Sequence, residues 1–244
     1  MRKAGYFILA MSLLLITEST SKGQQEKLNT LTNKEIKEGW KLLFDGKTSN
    51  GWMNAKSKTF PSKGWEIKDG ALIVRPENGP GGDILTTGKY RNFELVVDFK
   101  YEKGANSGIK YFVDSEINNG TLSSIGCEYQ IIDDKNYSDK LDIAGKQNTA
   151  ALYDLIAPSN VKDKGAGEWN RAKIVVEGSH VQHWLNGQMT VEYERGTKIW
   201  RDLVATSKFK TVPGFGEVKE GRILLQDHGG AVFFRNLKIR EIKD

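Results

Sequence analysis

Short runs in which apolar and polar residues alternate fill the chain from Trp40 onward. In the clearest run, residues 93–101, every second side chain is large and apolar, and most of the residues between them are charged. A period of two is typical of a β-strand with one buried face. The pattern therefore predicts a strand here and in similar runs at residues 71–75, 107–113, 127–132, 172–177, 181–185, 222–226 and 231–239.

Turn-forming residues separate these runs. The segments 68–70, 177–179 and 186–187 contain Asp-Gly, Gly-Ser and Asn-Gly pairs, which accept the positive φ of tight turns between antiparallel strands. Many short strands at even spacing, together with 26 Gly and only 5 Pro, predict an all-β sandwich or barrel. No internal repeat or linker interrupts the pattern, so a single domain is the simplest organisation.

Two short helices are predicted beside the strands. Thr32 and Glu35 have the spacing of a capping box, which favours one short helix before Gly39. Residues 198–209 carry apolar side chains at helical spacing and predict a crossover helix packed against the sandwich. The polar stretch 24–31 is expected to be a mobile leader.

The N-terminal segment has the three parts of a secretory signal. A basic start is followed by an apolar run over residues 4–16 and then by small and polar residues up to Gly23. The apolar run is too short to span a bilayer, although an uncleaved anchor is the alternative. We therefore expect cleavage near Gly23 and a periplasmic or secreted protein with no membrane attachment. The predicted segments are a signal peptide at 1–23, a leader with a short helix at 24–38 and one domain at 39–244.

Charge and cysteine content narrow the class of protein. Removal of residues 1–23, which contain three basic residues and one acidic residue, lowers the formal charge from +5 to +3. The remaining basic residues are dispersed among acidic ones, which argues against a nucleic-acid partner. Cys127 is the only cysteine, so the chain can form no internal disulfide, and Cys127 is expected to be a core residue.

The chain carries a set of separated motifs: GWKLLFDG at 39–46, GW at 51–52, WEIKDG at 65–70, NSGIK at 106–110, GCEYQIID at 126–133, GEWN at 167–170, LNG at 185–187, LQDH at 225–228 and FRN at 234–236. In this order they resemble the DUF1080 family, which is described as 3-keto-disaccharide hydrolases or 3-keto-glucoside lyases and hydratases. The resemblance implies a concanavalin-like jelly roll of two antiparallel sheets. It also implies glycosides already oxidised at C3 of the sugar as substrates, supplied by a separate oxidoreductase.

The C3 ketone of the implied substrate makes an elimination reaction accessible. A ketone at C3 acidifies the C2 proton, so that a base can remove it and the enolate can expel the group at C1. Water then adds to the product, and the net reaction is hydrolysis. Such a site needs a general base and donors for the enolate oxygen, with an acid for the leaving group as a further option.

Glu128 is the candidate base. Alternation over residues 127–132 places Glu128, Gln130 and Ile132 on one face, and we expect the opposite face to pack in the core. Sandwich glycosidases carry carboxylates at three alternate positions of such a strand, whereas Glu128 is followed here by Gln130 and Ile132. The paired carboxylates of a double displacement are therefore absent from this strand. Asp133 could reach the site only across a bulge. A structural ion-pair carboxylate is the alternative role for Glu128.

Further candidates lie on other predicted strands. Lys110 is expected to share a face with Asn106, Gly108 and Phe112, where its ammonium could hold the ketone or the enolate. A surface lysine is the alternative. Asn106 is a candidate for substrate binding.

Gln226 and His228 share a face at the end of a predicted strand. Gln226 and Gln130 are candidates for substrate binding. His228 could act as an acid, as a second base or as a metal ligand, and a structural role in the glycine-rich turn is its alternative.

Tyr153 and Trp184 are the aromatic candidates for sugar contact, with Trp169 as a further one. His183 alternates with apolar residues and is expected to be a hydrogen-bonded core histidine. The chemistry requires no cofactor, and a divalent metal could be held only by side chains that converge from separate strands. Two other functions remain open: a noncatalytic carbohydrate-binding sandwich, and a conventional glycoside hydrolase, which Ile132 disfavours.

Overall fold

The computed structural model describes residues 27–114, 124–139 and 144–243. The predicted signal peptide lies outside the described residues. Strands dominate the described ranges and are β1 Trp40–Leu42, β2 Trp52–Asn54, β3 Trp65–Lys68, β4 Ala71–Val74, β5 Ile84–Thr86, β6 Phe93–Tyr101, β7 Asn106–Val113, β8 Cys127–Ile132, β9 Asn170–Glu177, β10 His180–Leu185, β11 Gln188–Glu194, β12 Arg222–Leu225 and β13 Val232–Glu241. The helices are α1 Asn33–Lys37 and α2 Lys198–Ala205, with a 3₁₀ turn at Pro76–Asn78.

The strands form two antiparallel sheets. The larger sheet has the order β11-β10-β9-β6-β13-β4-β3, with β1 also paired to β13. The smaller sheet has the order β2-β5-β12-β7-β8. The chain passes back and forth between the two sheets, so strands that pair within a sheet are often distant in sequence. The predicted all-β jelly-roll sandwich of two antiparallel sheets is thereby confirmed.

The core lies between the two sheets and follows the alternation seen in the sequence. The apolar side chains of β6, at positions 93, 95, 97, 99 and 101, are all buried on its inner face. In β8, Cys127, Tyr129 and Ile131 join the same core, as predicted. Burial raises the pKa of the Cys127 thiol to about 12, so this cysteine is an unreactive core residue.

The predicted helix boundaries are partly right. The capping box at the start of α1 is present, with reciprocal hydrogen bonds between Thr32 and Glu35. Helix α2 begins at Lys198 as predicted but ends at Ala205 rather than at residue 209. The Ser207 hydroxyl donates to a carbonyl of the last helical turn at 2.8 Å, and the chain turns away there.

The expectation of a mobile leader is wrong for its described part. Asn29 is buried and exchanges two hydrogen bonds with Asn236, at 2.7 and 2.8 Å. Its amide also donates to the carbonyl of Gly70 at 2.8 Å. Asn236 has a φ of 52° at a register shift in β13, and the side-chain oxygen of Asn29 accepts the hydrogen bond of the backbone N–H at this bulge.

The predicted face of Phe112 is also wrong. Phe112 has a φ of 57°, and the pairing of β7 with β12 shifts register at this point. An extra residue in a strand reverses the alternation that follows it. Phe112 therefore packs in the core, and Val113 occupies the face on which Lys110 lies.

Candidate active site

The candidate residues of β7 and β8 meet on the outer face of the smaller sheet. In the strand register Lys110 lies opposite Glu128, Gly108 opposite Gln130, and Asn106 opposite Ile132. All of these side chains point away from the core because their neighbours in each strand point into it. Two adjacent strands thus present a cation, a carboxylate and amides side by side.

Lys110 and Glu128 form a buried ion pair. The Nζ atom of Lys110 lies 3.5 Å from Oε2 of Glu128 and donates to the backbone carbonyl of Ser124 at 3.1 Å. Glu128 is 5% exposed and Lys110 is 9% exposed. Taking two charges out of water is costly, and such a pair is weak evidence of a stabilising role. Buried titratable groups in contact are a common feature of functional sites.

Gly108 makes room for the carboxylate. A Cβ atom at position 108 would lie 2.5 Å from Oε1 of Glu128 and 3.0 Å from its Cδ. The Glu128 side chain therefore lies across the backbone of β7. Any larger residue at position 108 would displace it.

The Gln130 amide contacts the same carboxylate. One orientation lets Nε2 donate to Asn106 at 3.3 Å, and the other lets it donate to the Ser107 carbonyl at 3.0 Å and to Oε1 of Glu128 at 3.1 Å. The second orientation satisfies two acceptors, one of them a carboxylate oxygen, and we assign it for that reason. Glu128 then has a cation on one oxygen and an amide donor on the other.

A loop along the open edge of β8 brings Tyr153 to the site. The backbone of Tyr153 donates to the carbonyl of Glu128 at 3.0 Å, and Ala150 and Ala151 form backbone hydrogen bonds with Gln130. Tyr153 is half-buried, and its hydroxyl accepts a hydrogen bond from Gln147 at 3.3 Å. Tyr153 thus lies beside Glu128, on the side opposite to Lys110.

Lys208 is a site residue that the sequence pattern did not reveal. It lies in the turn after α2, with its Nζ atom 3.9 Å from the centre of the Tyr153 ring. Its backbone amide donates to Asp154 at 2.7 Å. The charges of Glu128 and Lys110 both act on the pKa of its ammonium group. No local motif marks this residue, because tertiary packing alone brings the turn to β8.

Gln226 and His228 lie at the other end of the site. The Gln226 backbone donates to the carbonyl of Gly108 at 3.0 Å, which places Gln226 across Gly108 from Gln130. His228 is exposed, two residues beyond Gln226. Asp227 between them accepts hydrogen bonds from the backbone of residues 81 and 82, at 3.0 and 2.9 Å. Gln226 is therefore part of the same face, whereas His228 lies in an exposed segment beyond the end of β12.

A cavity of about 450 Å³ lies beside the site and has Ser124 in its lining. Ser124 is also the residue whose carbonyl binds the Lys110 ammonium. A buried apolar patch lies next to it on the same face and consists of Met53, Ala55, Leu85, Val113 and Leu224. Apolar walls around charged groups strengthen their interactions.

Trp184 does not belong to this site. It lies in β10 of the larger sheet and faces outward, because His183 and Leu185 on either side of it face the core. Its ring lies 4.3 Å from the Nζ atom of Lys173 on the same outer face. Trp169 contacts Lys100 and Arg235 on that face too. Alternation along a strand identifies the face of a residue but not the sheet to which the strand belongs.

His183 is a core histidine, as predicted. Its Nε2 atom is 2.7 Å from the Tyr111 hydroxyl, and burial lowers its pKa to about 3. Asp133 does not reach the site, because it accepts hydrogen bonds from the backbone and side chains of the following turn and from Gly104. These hydrogen bonds hold its pKa below the usual value against the opposing effect of burial.

Metal binding has little support in the described ranges. Within them, no three side chains of His, Cys, Asp or Glu come close enough together to hold a metal ion. His228 has no second histidine or carboxylate cluster with which to form such a site there.

Comparison with known proteins identifies relatives of this chain. The 3-keto-alpha-glucoside-1,2-lyase-like domain matches residues 39–240. A 3-keto-disaccharide hydrolase of Bacteroides thetaiotaomicron is 38% identical in an alignment 228 residues long, which covers 83% of this chain and 78% of that protein.

Solved structures show the same fold. A proposed glycosyl hydrolase from Parabacteroides distasonis has a TM-score of 0.79 at 32% identity, covering 89% of this chain and all of that one. A second protein from the same organism has a TM-score of 0.62 at 28% identity, covering 83% of this chain and 99% of that one.

Proposed function

Because the chain belongs to the 3-keto-alpha-glucoside-1,2-lyase-like family, a family of carbohydrate-active enzymes, we propose that it cleaves glycosides carrying a ketone at C3. The reaction begins with elimination across C1 and C2 and ends with addition of water. A separate oxidoreductase supplies the substrate, because nothing in the proposed steps creates the ketone.

The observation that carries this proposal is the isolated Glu128–Lys110 pair. On the outer-face positions of β7 and β8, Glu128 is the only carboxylate. A glycosidase that acts through an oxocarbenium ion requires two carboxylic groups flanking the bond, about 5–5.5 Å apart for retention or about 6.5–9.5 Å for inversion. A site with one carboxylate and one ammonium fits elimination, in which one base takes a carbon-bound proton and a cation holds the oxygen that becomes negative.

Each group has a role in this reaction. Glu128 removes the C2 proton. Lys110, whose Nζ atom is 3.5 Å from the carboxylate, stabilises the charge that builds on the C3 oxygen. The Gln130 amide donates to Oε1 of Glu128 and so orients the base.

Substrate contacts extend from this centre in both directions. Tyr153 provides an aromatic face on one side, and Asn106 and Gln226 provide amides on the other. The cavity lined by Ser124, whose carbonyl accepts a hydrogen bond from Lys110, has room for part of the substrate. A purely carbohydrate-binding sandwich would have no use for a buried ion pair in this position.

A panel of 3-keto-glycosides and their unoxidised parents tests the proposal. The 3-keto compounds should be cleaved, and the parents should remain intact, with products identified by mass. Equal turnover of a 3-keto-glucoside and its parent would overturn the elimination mechanism. Binding of both without turnover would instead indicate a carbohydrate-binding protein.

A further inference from the structure

Lys208 is a second cation at the site, and the steps proposed above do not use it. Its Nζ atom lies 3.9 Å from the centre of the Tyr153 ring and 5.0 Å from that of Phe209. Its backbone is held by Asp154, whose carboxylate accepts the Lys208 amide hydrogen at 2.7 Å. A lysine on the face of an aromatic ring has a restricted position.

The two lysines lie on opposite sides of Glu128. Lys110 belongs to β7 and approaches Glu128 from within the sheet. Tyr153 pairs with the backbone of Glu128 along the open edge of β8, and Lys208 lies on the Tyr153 ring. The order across the site is therefore cation, base, cation.

This order matches the order of atoms in the substrate. The proton to be removed is on C2, the ketone oxygen is on C3, and the leaving oxygen is on C1. If Glu128 lies next to C2 and Lys110 binds the oxygen on C3, the group on the far side of Glu128 lies next to the oxygen on C1. That group is the ammonium of Lys208.

The electrostatic surroundings of Lys208 suit proton donation. Desolvation is the largest cause that lowers its pKa, and the positive charge of Lys110 lowers the pKa further. The residue as a whole is nevertheless exposed. Glu128 and Asp154 oppose this shift. A lysine with a lowered pKa gives up its proton more readily near neutral pH.

We propose that Lys208 is the general acid that protonates the leaving group, an inference that rests on the proposed function. In the elimination, Glu128 takes the C2 proton, the C1–O bond breaks, and Lys208 gives a proton to the departing oxygen. The aglycone leaves as an alcohol, and C1 and C2 become doubly bonded. Between the two steps the proton on Glu128 exchanges with the solvent. In the hydration, neutral Lys208 takes a proton from the water that attacks C1, and Glu128 gives a solvent-derived proton to C2. Both residues end in their starting states.

The test compares two leaving groups in one variant. An alkyl 3-keto-glucoside needs protonation to leave, whereas a 4-nitrophenyl 3-keto-glucoside does not. In a single turnover, the rate of aglycone release by Lys208→Met should fall about 100-fold to 10,000-fold on the alkyl substrate and less than about tenfold on the nitrophenyl substrate, because the later hydration step does not affect this rate. Exchange of the C2 hydrogen with solvent should continue, because Glu128 and Lys110 remain in place.

Two controls separate acid catalysis from other roles. Lys208→Arg keeps the positive charge but gives up a proton far less readily, so it should show the same loss on the alkyl substrate. Lys210→Met, in the same turn, should behave like the unchanged protein. If Lys208→Met folds poorly, as judged from its melting temperature, Lys208→Gln provides the same comparison.

Each outcome decides between hypotheses. An equal loss on both leaving groups, or full recovery of the alkyl substrate by Lys208→Arg, would overturn the inference while leaving the proposed function intact. Failure of the unchanged protein to cleave either 3-keto-glucoside would overturn the proposed function itself.

Discussion

At the scale of single residues, the environment of Glu128 accounts for its proposed role. Its two oxygens have different partners, the Lys110 ammonium at 3.5 Å and the Gln130 amide at 3.1 Å. Gly108 leaves the space that the carboxylate occupies. A base held on both sides and exposed to little water is restricted to few orientations, which favours attack on one particular proton.

We predict that Glu128→Gln removes the base while preserving the shape of the site. Turnover of a 3-keto-glucoside should fall by about 100-fold to 10,000-fold, and exchange of the C2 hydrogen should be lost with it. The free energy of unfolding should fall by about 3–5 kcal/mol, because the substitution leaves Lys110 as a buried charge without its partner, although its hydrogen bond to Ser124 remains. Turnover, deuterium exchange and urea unfolding of the variant measure these effects. Lost turnover with undiminished exchange would show that Glu128 is not the base.

The sequence predicts this part of the site because it depends on strand alternation. Glu128, Gln130 and Lys110 follow from the period of two in their own strands. Lys208 does not, because its turn reaches β8 only through tertiary packing. Trp184 lies on an outer face, as its alternation predicts, but its strand belongs to the larger sheet, so the structure does not bring it together with Glu128.

At the scale of elements, departures from regular strands position several groups. The bulge at Phe112 reverses the alternation in β7, so that Lys110 is followed on its face by Val113 rather than by an aromatic ring. The bulge at Asn236 requires the side chain of Asn29 to complete its hydrogen bonds. Positive φ at a residue other than glycine cannot be inferred from alternation. Short strands such as β2 and β5, with three residues each, are also too brief to show a period.

We predict that Asn29→Ala destabilises the protein without impairing the site. The change removes the acceptor of the Asn236 amide and the donor to Gly70, and it should lower the free energy of unfolding by about 1–3 kcal/mol. Thermal and urea unfolding measure this effect. Thr30→Ala, which removes an exposed hydrogen bond next to it, is the control and should change stability by less than about 0.5 kcal/mol. Equal stability of the two variants would mean that the leader does not anchor the bulge.

At the scale of the whole molecule, the two outer faces differ in character. The smaller sheet carries the buried ion pair of the site. The larger sheet carries Trp184 and Trp169 stacked with cations, as well as ion pairs such as that of Arg171 with the buried carboxylate of Asp98. The core between them contains His183, which joins the sheets through Tyr111.

We predict that His183 makes the fold sensitive to acid. Its folded pKa of about 3 lies below the ordinary value of 6.5, so between these values the unfolded chain binds a proton that the folded chain does not. Its contribution to stability is complete above pH 6.5 and is lost as the pH falls towards 3. The loss should be about 1.4 kcal/mol per pH unit once the pH is well below the ordinary value.

Urea unfolding at pH 7, 6 and 5 measures this effect. His183→Gln should show a shallower fall in stability between pH 6 and pH 5 than the unchanged protein. His228→Gln, at an exposed position, should retain the original slope. Equal slopes for all three proteins would contradict the assignment.

We also propose that the protein works outside the cytoplasm. In the described ranges no helix is long and apolar enough to cross a membrane. Cleavage of the predicted signal near Gly23 should release a mature protein that begins near Gln24, in the periplasmic or extracellular fraction. Cell fractionation and N-terminal sequencing test this expectation. Recovery of the full-length chain with washed membranes would contradict it.

The fate of the C2 hydrogen tests the central claim most directly. Elimination followed by hydration replaces this hydrogen with one from the solvent, whereas direct cleavage through an oxocarbenium ion leaves it in place. In this experiment the enzyme cleaves a 3-keto-glucoside in deuterium oxide, and the released 3-keto-glucose is analysed by mass spectrometry and NMR at early times. The isolated product, incubated without enzyme, corrects for spontaneous exchange. The account predicts one deuterium at C2 of each product molecule, and a product that retains its original C2 hydrogen would contradict it.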